Sequence, residues 1–333
     1  MSEALIVRLP NWLGDTVMAV PALRAIRRAR STARVVAVGP WAGILADQGL
    51  VDTVVIYPRS TLARIRLADT VRAVGADTVV LLPNSLESAL AAWYWGARRR
   101  AGFAVGGRTW LVTDPLPLPS PRRHQVDEYL MIVEALGIEV TDREPRLDPP
   151  APTSVERARA RELLDMVGVT ARPLVGIHLG AAYGSAKVWP ADRTIELCGE
   201  VRRTGGTPLL LGAPDDAGVA AAVEKETRAP SLVGRDRPEL LAAVLTEIDA
   251  LVSGDTGVSH LAAALGTPAV ALFGPTDPDL TAPRGRAAVV RHPVPCAPCF
   301  YRACPIDHPC MQAIEAPDVM ARVRALLAEP ALR

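Results

Sequence analysis

The stretch Ser253-Gly-Asp-Thr-Gly-Val-Ser-His-Leu-Ala-Ala-Ala-Leu-Gly-Thr-Pro-Ala-Val-Ala-Leu-Phe-Gly-Pro-Thr-Asp-Pro278 reads as a strand, a tight turn, a short helix, a second strand and a polar loop. Ile248 to Val252 is the incoming strand, and Ala269 to Phe273 is the second. Asp255 and Thr256 are helix N-cap types, and Gly257 lets a backbone approach closely. His260 falls one turn into the helix, on the side that faces the turn. A helix N-terminus presents unbonded N–H groups and a partial positive charge, a combination that suits phosphate. An ordinary βαβ unit capped by Asp255 explains the cap alone. It leaves unexplained His260 and the Gly-Pro-Thr-Asp-Pro loop at the next strand end. Parallel sheets bind ligands at such strand ends, so the stretch is read as a phosphate site.

On either side of this unit, the same alternation recurs along the chain. Strands are expected at Leu5–Leu9, Arg34–Val38, Thr53–Tyr57 and Thr78–Leu82, with helices at Asp15–Arg30, Trp41–Gln48, Leu62–Val74, Ser85–Trp95 and Val126–Leu136. The Pro-rich segment Glu139–Ser154 reads as a linker. Beyond it come a helix at Val155–Val167 and strands at Leu174–His178, Thr207–Leu211, Ser231–Val233, Ala250–Val252 and Ala269–Phe273. Helices are expected between these strands, and a closing helix at Ala316–Leu327 is free to pack back on the first half. The strands are continuous apolar runs, as in parallel sheets covered on both faces. The expected fold class is therefore α/β: two doubly wound, Rossmann-like domains, 1–150 and 151–333, facing across a cleft at their strand ends.

Composition narrows the function. The chain has 333 residues, 49% of them hydrophobic, and a net charge of +1, which argues against a nucleic-acid role. No apolar run is long and clean enough to span a membrane. A strand begins almost at the N-terminus and leaves no room for a signal peptide, so a cytoplasmic protein is expected. Of the 37 basic residues only Lys187 and Lys225 are lysine. Where arginine is the default cation, a retained lysine marks a place that needs a compact ammonium. Lys225 lies on a solvated helix face; Lys187, in Gly-Ser-Ala-Lys-Val-Trp-Pro, is the candidate ligand contact.

The loops after the strands carry the chemistry. The first half offers Pro10-Asn-Trp-Leu-Gly-Asp-Thr16 and Pro83-Asn-Ser85. Asp15 is either a plain N-cap or a carboxylate that accepts a proton from a hydroxyl. The second half offers Leu179–Pro190, Gly212–Asp216, Asp255–His260 and Gly274–Asp277. This set fits a nucleoside diphosphate, with Lys187, His260 and the helix N-terminus toward the phosphates and Asp215 or Asp216 toward ribose hydroxyls. Neither a Gly-x-Gly-x-x-Gly fingerprint nor a P-loop is present, which disfavours a dehydrogenase and P-loop phosphoryl transfer.

The segments Arg8-Leu-Pro-Asn-Trp-Leu-Gly-Asp-Thr-Val-Met-Ala-Val-Pro-Ala-Leu23, Leu82-Pro-Asn-Ser-Leu-Glu-Ser-Ala-Leu90, Ala186-Lys-Val-Trp-Pro190 and Asp255-Thr-Gly-Val-Ser-His-Leu-Ala-Ala-Ala-Leu265 resemble the ADP-heptose:lipopolysaccharide heptosyltransferases of glycosyltransferase family 9, most closely the type II pattern. The resemblance implies a GT-B fold, with the acceptor on the N-terminal lobe and the ADP-sugar on the C-terminal lobe. It also implies inversion without a metal ion and without a cofactor. Asp15 matches the family's general base and Lys187 its phosphate-contacting lysine. Asp255, Thr256, Gly257 and His260 match its pyrophosphate-binding turn. Asp216 falls near its ribose-binding acid, where a longer Glu is expected and Asp215 is the neighbouring choice. Ala181-Ala182-Tyr183 replaces the hydroxyl residues common before the lysine. The implied partners are ADP-heptose, a lipid A–core acceptor and the inner face of the cytoplasmic membrane, with no nucleic acid. A family member with another acceptor or donor, and a nucleotide-sugar-binding protein without activity, are the alternatives.

Two clusters stand outside this site. Cys296, Cys299, Cys304 and Cys310, with His292 and His308 nearby, offer a structural metal site or a disulfide, set against simple reduced thiols. Trp93-Tyr-Trp-Gly-Ala-Arg-Arg-Arg100 pairs aromatics with Arg98, Arg99 and Arg100, and Arg122-Arg123-His124 is a weaker basic group. Asn11, Trp12, Asn84, Ser85 and the three arginines at 98–100 are the candidate acceptor contacts, the last set facing a phosphate-bearing lipid or a membrane surface.

Overall fold

The computed structural model describes residues 4–235 and 238–329. The chain divides into two compact units, Met1–Pro145 and Arg146–Arg333, each built on one parallel sheet. The first sheet holds β1 (Ala4–Arg8), β2 (Arg34–Gly39), β3 (Thr53–Ile56), β4 (Thr78–Leu81), β5 (Arg99–Phe103) and β6 (Asp114–Leu116), in the order β3-β2-β1-β4-β5-β6. The second holds β7 (Leu174–His178), β8 (Thr207–Leu211), β9 (Ala250–Gly254), β10 (Ala269–Phe273) and β11 (Ala287–Arg291), in the order β11-β10-β9-β7-β8. Every residue of β1, β4, β9 and β10 is buried, as in strands covered on both faces.

Strand order fixes where a ligand can sit. In the first sheet the chain leaves β1 to build β2 and β3 on one side, then returns to place β4 on the other. In the second it leaves β7 for β8 and returns to place β9. The loops after β1 and β4, and those after β7 and β9, therefore flank the points where successive connections part, and leave a crevice at the carboxyl ends. Both expected doubly wound domains are present. The closing helix, Ala316–Ala328, packs on helix Ala191–Arg203 and on β9, β10 and β11 of the second unit.

Several local expectations change. The helix expected at Asp15–Arg30 is two, Leu13–Met18 and Val20–Ala29, parted at Ala19. Pro21 lacks an N–H and its ring excludes a continuous helix, but it fits the first turn of a new one. Trp41–Gln48 holds only a 3-10 turn at Ala42–Leu45, followed by left-handed backbone at Asp47 and Gly49. Ser231–Val233 contributes a single bridge from Ser231 to Leu210 rather than a strand. Three strands lie outside the sequence-based expectation: β5, which opens on two arginines; β6, three residues long with a central Pro; and β11 at the sheet edge.

Candidate active site

At the β7/β9 crevice the two predicted elements meet. The Lys187 ammonium donates to the Asp255 carboxylate at 2.5 Å and to the Asp255 carbonyl at 3.2 Å. Thr276, from the loop after β10, donates to the same carboxylate at 2.7 Å. Three loops are thus joined on one buried acid. The ammonium also lies 4.6 Å from the centre of the Tyr183 ring, and the Arg302 guanidinium lies 5.3 Å from the same centre. Tyr183 supplies an aromatic face to the lysine. Its hydroxyl donates to the Phe300 carbonyl at 2.6 Å, and the Ala186 N–H donates to the Arg302 carbonyl at 3.0 Å. A β-carbon on Gly254 would lie 2.8 Å from the Lys187 carbonyl oxygen, so the approach of the two loops requires glycine there.

Asp255 is therefore not the helix cap that its residue type suggests. Thr256 takes the N-cap position of helix Gly257–Ala264, and its hydroxyl pairs with Ser253 at 2.8 Å rather than with the helix. The Thr256 side chain makes no cap bond to this N-terminus. It follows directly on Asp255, and His260 is buried one turn in. This is a positive, polar end of the kind that takes anions.

Asp216 sits one strand over. Its carboxylate accepts from the Ala213 N–H at 2.8 Å, and a β-carbon on Gly180 or Gly212 would collide with it. Asp215 is exposed. Sequence reasoning missed His178, which ends β7. Its Nδ1 is buried without a hydrogen-bond partner among the described residues. Burial lowers the His178 pKa, against the opposing pull of Asp216 and the Gly180 backbone. A polar residue closing an apolar strand was the available signal.

The first unit builds its strand ends differently. Asp15 lies inside the first turn of helix Leu13–Met18; the N-cap is Trp12, which makes no side-chain cap bond. The plain N-cap reading of Asp15 is thereby removed. Its charge is felt by buried Tyr129 on helix Gln125–Glu134, whose hydroxyl is pushed well above its ordinary pKa by burial and then by Asp15 and Glu128. Beneath the loop, Arg8 is wholly buried; it donates to Asn11 at 2.8 Å and stacks 4.2 Å from the Tyr57 ring. Tyr57 in turn donates to Glu87 at 2.5 Å. A second buried guanidinium, Arg108, holds the loop after β4. It donates to the carbonyls of Phe103 at 3.0 Å, Pro83 at 2.5 Å and Ser85 at 3.3 Å, to Ser88 at 3.2 Å and to Asn84 at 3.1 Å. Burial lowers its pKa to about 10. Sequence reasoning singles out neither arginine. Arg8 is visible as a lone cation in an apolar strand, whereas Arg108 has no local signal.

Residues 64–309 match the family model described as glycosyltransferase family 9 (heptosyltransferase). The chain belongs to this family. It is 29% identical to lipopolysaccharide heptosyltransferase 2 of Salmonella typhimurium over 300 residues, which cover 85% of this chain and 86% of the relative. Its fold is similar to that of the Escherichia coli ADP-heptose lipopolysaccharide heptosyltransferase II, with a TM-score of 0.78, 24% identity and 98% of each chain covered. A family 9 glycosyltransferase of Veillonella parvula gives 0.83 at 22% identity, again over 98% of each chain. Two Rossmann-like domains, as in these GT-B enzymes, and glycosyltransferase activity follow.

Several expected contacts of this glycosyltransferase are already occupied. Asn84 accepts from Arg108, and Ser85 caps helix Leu86–Tyr94 by accepting from the Ser88 N–H at 3.2 Å. Asn11 accepts from Arg8, while Trp12 is exposed. Arg98, Arg99 and Arg100 do not form a free basic helix end. Arg99 and Arg100 open β5; Arg98 pairs with Asp77, Arg99 with Asp114 at 2.7 Å, and Arg100 donates to the Leu111 carbonyl at 2.5 Å. Arg122 grips buried Glu128 through two bonds of 2.6 and 2.7 Å, and His124 caps helix Gln125–Glu134. The cysteine tail holds free thiols, and among the described residues no three of His, Cys, Asp and Glu converge as metal ligands. Cys304 instead accepts from the His308 N–H at 3.2 Å, Cys310 is buried against Gly274, and Cys296 is exposed. The tail's visible role is mechanical: its Phe300 and Arg302 carbonyls anchor the Lys187 loop.

Proposed function

We propose that this chain transfers heptose from ADP-heptose to a lipid A–core acceptor of the lipopolysaccharide inner core, inverting the anomeric centre without a catalytic metal. The observation that carries this reading is the Lys187–Asp255 pair beside a helix N-terminus whose N-cap, Thr256, makes no side-chain bond to it, at the β7/β9 crevice. Asp255 holds the lysine in place, and the diphosphate takes up its ammonium. Lys187, the helix N-terminus through Thr256 and Gly257, and His260 then stabilise the charge that gathers on ADP as it leaves. Asp216, or exposed Asp215, takes the ribose hydroxyls. The acceptor oxygen attacks the anomeric carbon from the face opposite the diphosphate. The bond to the β-phosphate oxygen breaks with its electron pair going to ADP, and Asp15 takes the acceptor's proton. In this reading the first unit binds the acceptor and the second the donor, and the enzyme works in the cytoplasm at the inner membrane. Among the described residues no helix is long and apolar enough to cross a membrane.

The test is incubation with ADP-heptose and a panel of truncated core acceptors, with products read by mass spectrometry. One added heptose and released ADP are expected. Binding of ADP-heptose with no product on any acceptor would favour a nucleotide-sugar-binding protein, and turnover only with another nucleotide-sugar would replace the donor.

A further inference from the structure

Helix Leu86–Tyr94 buries Ser88, Ala89 and Ala92 and turns Leu86, Leu90, Trp93 and Tyr94 to solvent, at exposures from 41% to 58%. Its outward face is thus almost wholly apolar. Beside it, helix Thr61–Arg72 exposes Leu62 and Ile65, at 58% and 64%. Arg64 pairs with Glu87 at 3.5 Å near the start of both helices, and Tyr94 donates to Asp69 at 2.7 Å near their ends. The helices therefore run side by side in one direction. Solvated helices ordinarily present polar residues outward, so the apolar face of helix Leu86–Tyr94, extended by Leu62 and Ile65 among the polar residues of its neighbour, marks a docking surface.

Charge indicates the occupant. Residues 59–72 contain Arg59, Arg64, Arg66 and Arg72 against one acid, Asp69. Arg59 and Arg66 are exposed, Arg66 on the same helix face as Leu62 and Ile65. Trp and Tyr side chains settle at the headgroup level of a bilayer, with leucine and isoleucine below and arginine reaching anionic phosphates. We infer that the outward faces of helices Thr61–Arg72 and Leu86–Tyr94 dock on an anionic phospholipid bilayer. The choice of a bilayer rests on the lipid-borne acceptor proposed above; the binding itself does not depend on the transfer reaction. The surface differs from the arginines at 98–100, which are committed to partners at the sheet edge.

The test is co-sedimentation of the full chain with vesicles of phosphatidylglycerol and phosphatidylethanolamine, and with vesicles of phosphatidylcholine alone. Binding to the anionic vesicles that weakens at high salt is expected, with little binding to the neutral ones. The double variant Arg59→Glu/Arg66→Glu should lose at least about 25-fold in partitioning, about fivefold for each arginine removed. Leu90→Glu/Trp93→Glu should lose about tenfold or more at either salt concentration. Both should keep the parent's melting temperature and ADP affinity, and Lys225→Glu, on an exposed helix of the second unit, should bind as the parent does. Equal binding to neutral vesicles, no binding, or parent-like binding by both double variants would overturn the inference. So would a change of oligomeric state with Leu90→Glu/Trp93→Glu while vesicle binding persists, which would make the face a protein interface. Failure of heptosyl transfer with vesicle binding intact would sink the proposed reaction and leave the docking face standing.

Discussion

The two strand-end crevices solve the same problem with opposite charge arrangements. At β7/β9 a cation and an acid are paired with each other, and both are side chains on loops. At the end of the first sheet the cations lie buried beneath the loops, bonded largely to carbonyls, while the Asp15 carboxylate stands in a helical turn. In the proposed reaction the first arrangement supplies a compact positive charge to an incoming diphosphate. The second uses buried guanidinium groups to fix loop backbone, and in the proposed reaction the Asp15 carboxylate of that unit takes the acceptor's proton. On that reading a leaving group and a nucleophile ask for different scaffolds: one a cation that exchanges an acid for a phosphate, the other a carboxylate set in a helical turn.

Asp15 carries the strongest test of this division of labour. Asp15→Ala should lower kcat by about 100-fold or more, the usual scale for a general base. ADP affinity, read by calorimetry, should stay unchanged. Near-parental turnover would remove Asp15 from the chemistry, and weakened ADP binding would mean that the two crevices do not divide the work as described. Lys187→Ala should act in the opposite sense, lowering kcat/KM for the donor by about 30-fold through loss of a charge-assisted bond to phosphate. It should also lower thermal stability, because Asp255 is left buried with Thr276 and no lysine. Asp255→Asn separates the two roles. If Asp255 only positions the lysine, its variant should raise the donor KM with a smaller change in kcat, whereas unchanged donor kinetics in both variants would remove the pair from the site.

Legibility in the sequence followed the same contrast. The βαβ unit around Asp255 could be read because both faces of β9 and β10 are buried, so their apolar runs are unbroken. Lys187 could be read because lysine is so rare in this chain. Their pairing could not, since it depends on β9 lying next to β7, a matter of strand order rather than local pattern. The edge of the first sheet was opaque for a related reason. β5 begins with arginines, the first of them paired with Asp114, and β6 carries a Pro that an edge strand tolerates. Arg108 was invisible: it follows Gly106 and Gly107, both left-handed, which turn the chain back so that the guanidinium reaches the β4 loop. That anchoring gives a third test. Arg108→Met should strand the Pro83 and Phe103 carbonyls and destabilise the fold by about 1.5 kcal/mol. It should raise the acceptor KM more than the donor KM; an equal rise in both would show that its loop does not belong to the acceptor side alone.

A weaker effect is expected of His178 at the end of β7. Burial lowers its folded-state pKa below the unfolded value near 6.5, and Asp216 only partly opposes this. The sign follows from proton counting. As pH falls through about 6.5 the unfolded chain binds a proton that the folded chain still refuses, so stability declines with acidification until the lower folded-state pKa is passed. His178→Asn removes the titration, so the difference in stability between parent and variant should shrink or reverse between about pH 7.5 and 5.5 in denaturant titrations. ADP adds a second readout. If its charge lies near the imidazole, binding should raise the His178 pKa, visible as a shift of the ring resonances toward the protonated form at a given pH. A pKa indifferent to ADP would place the nucleotide away from the β7 end, and a parallel pH dependence in parent and variant would show that burial there does not suppress protonation.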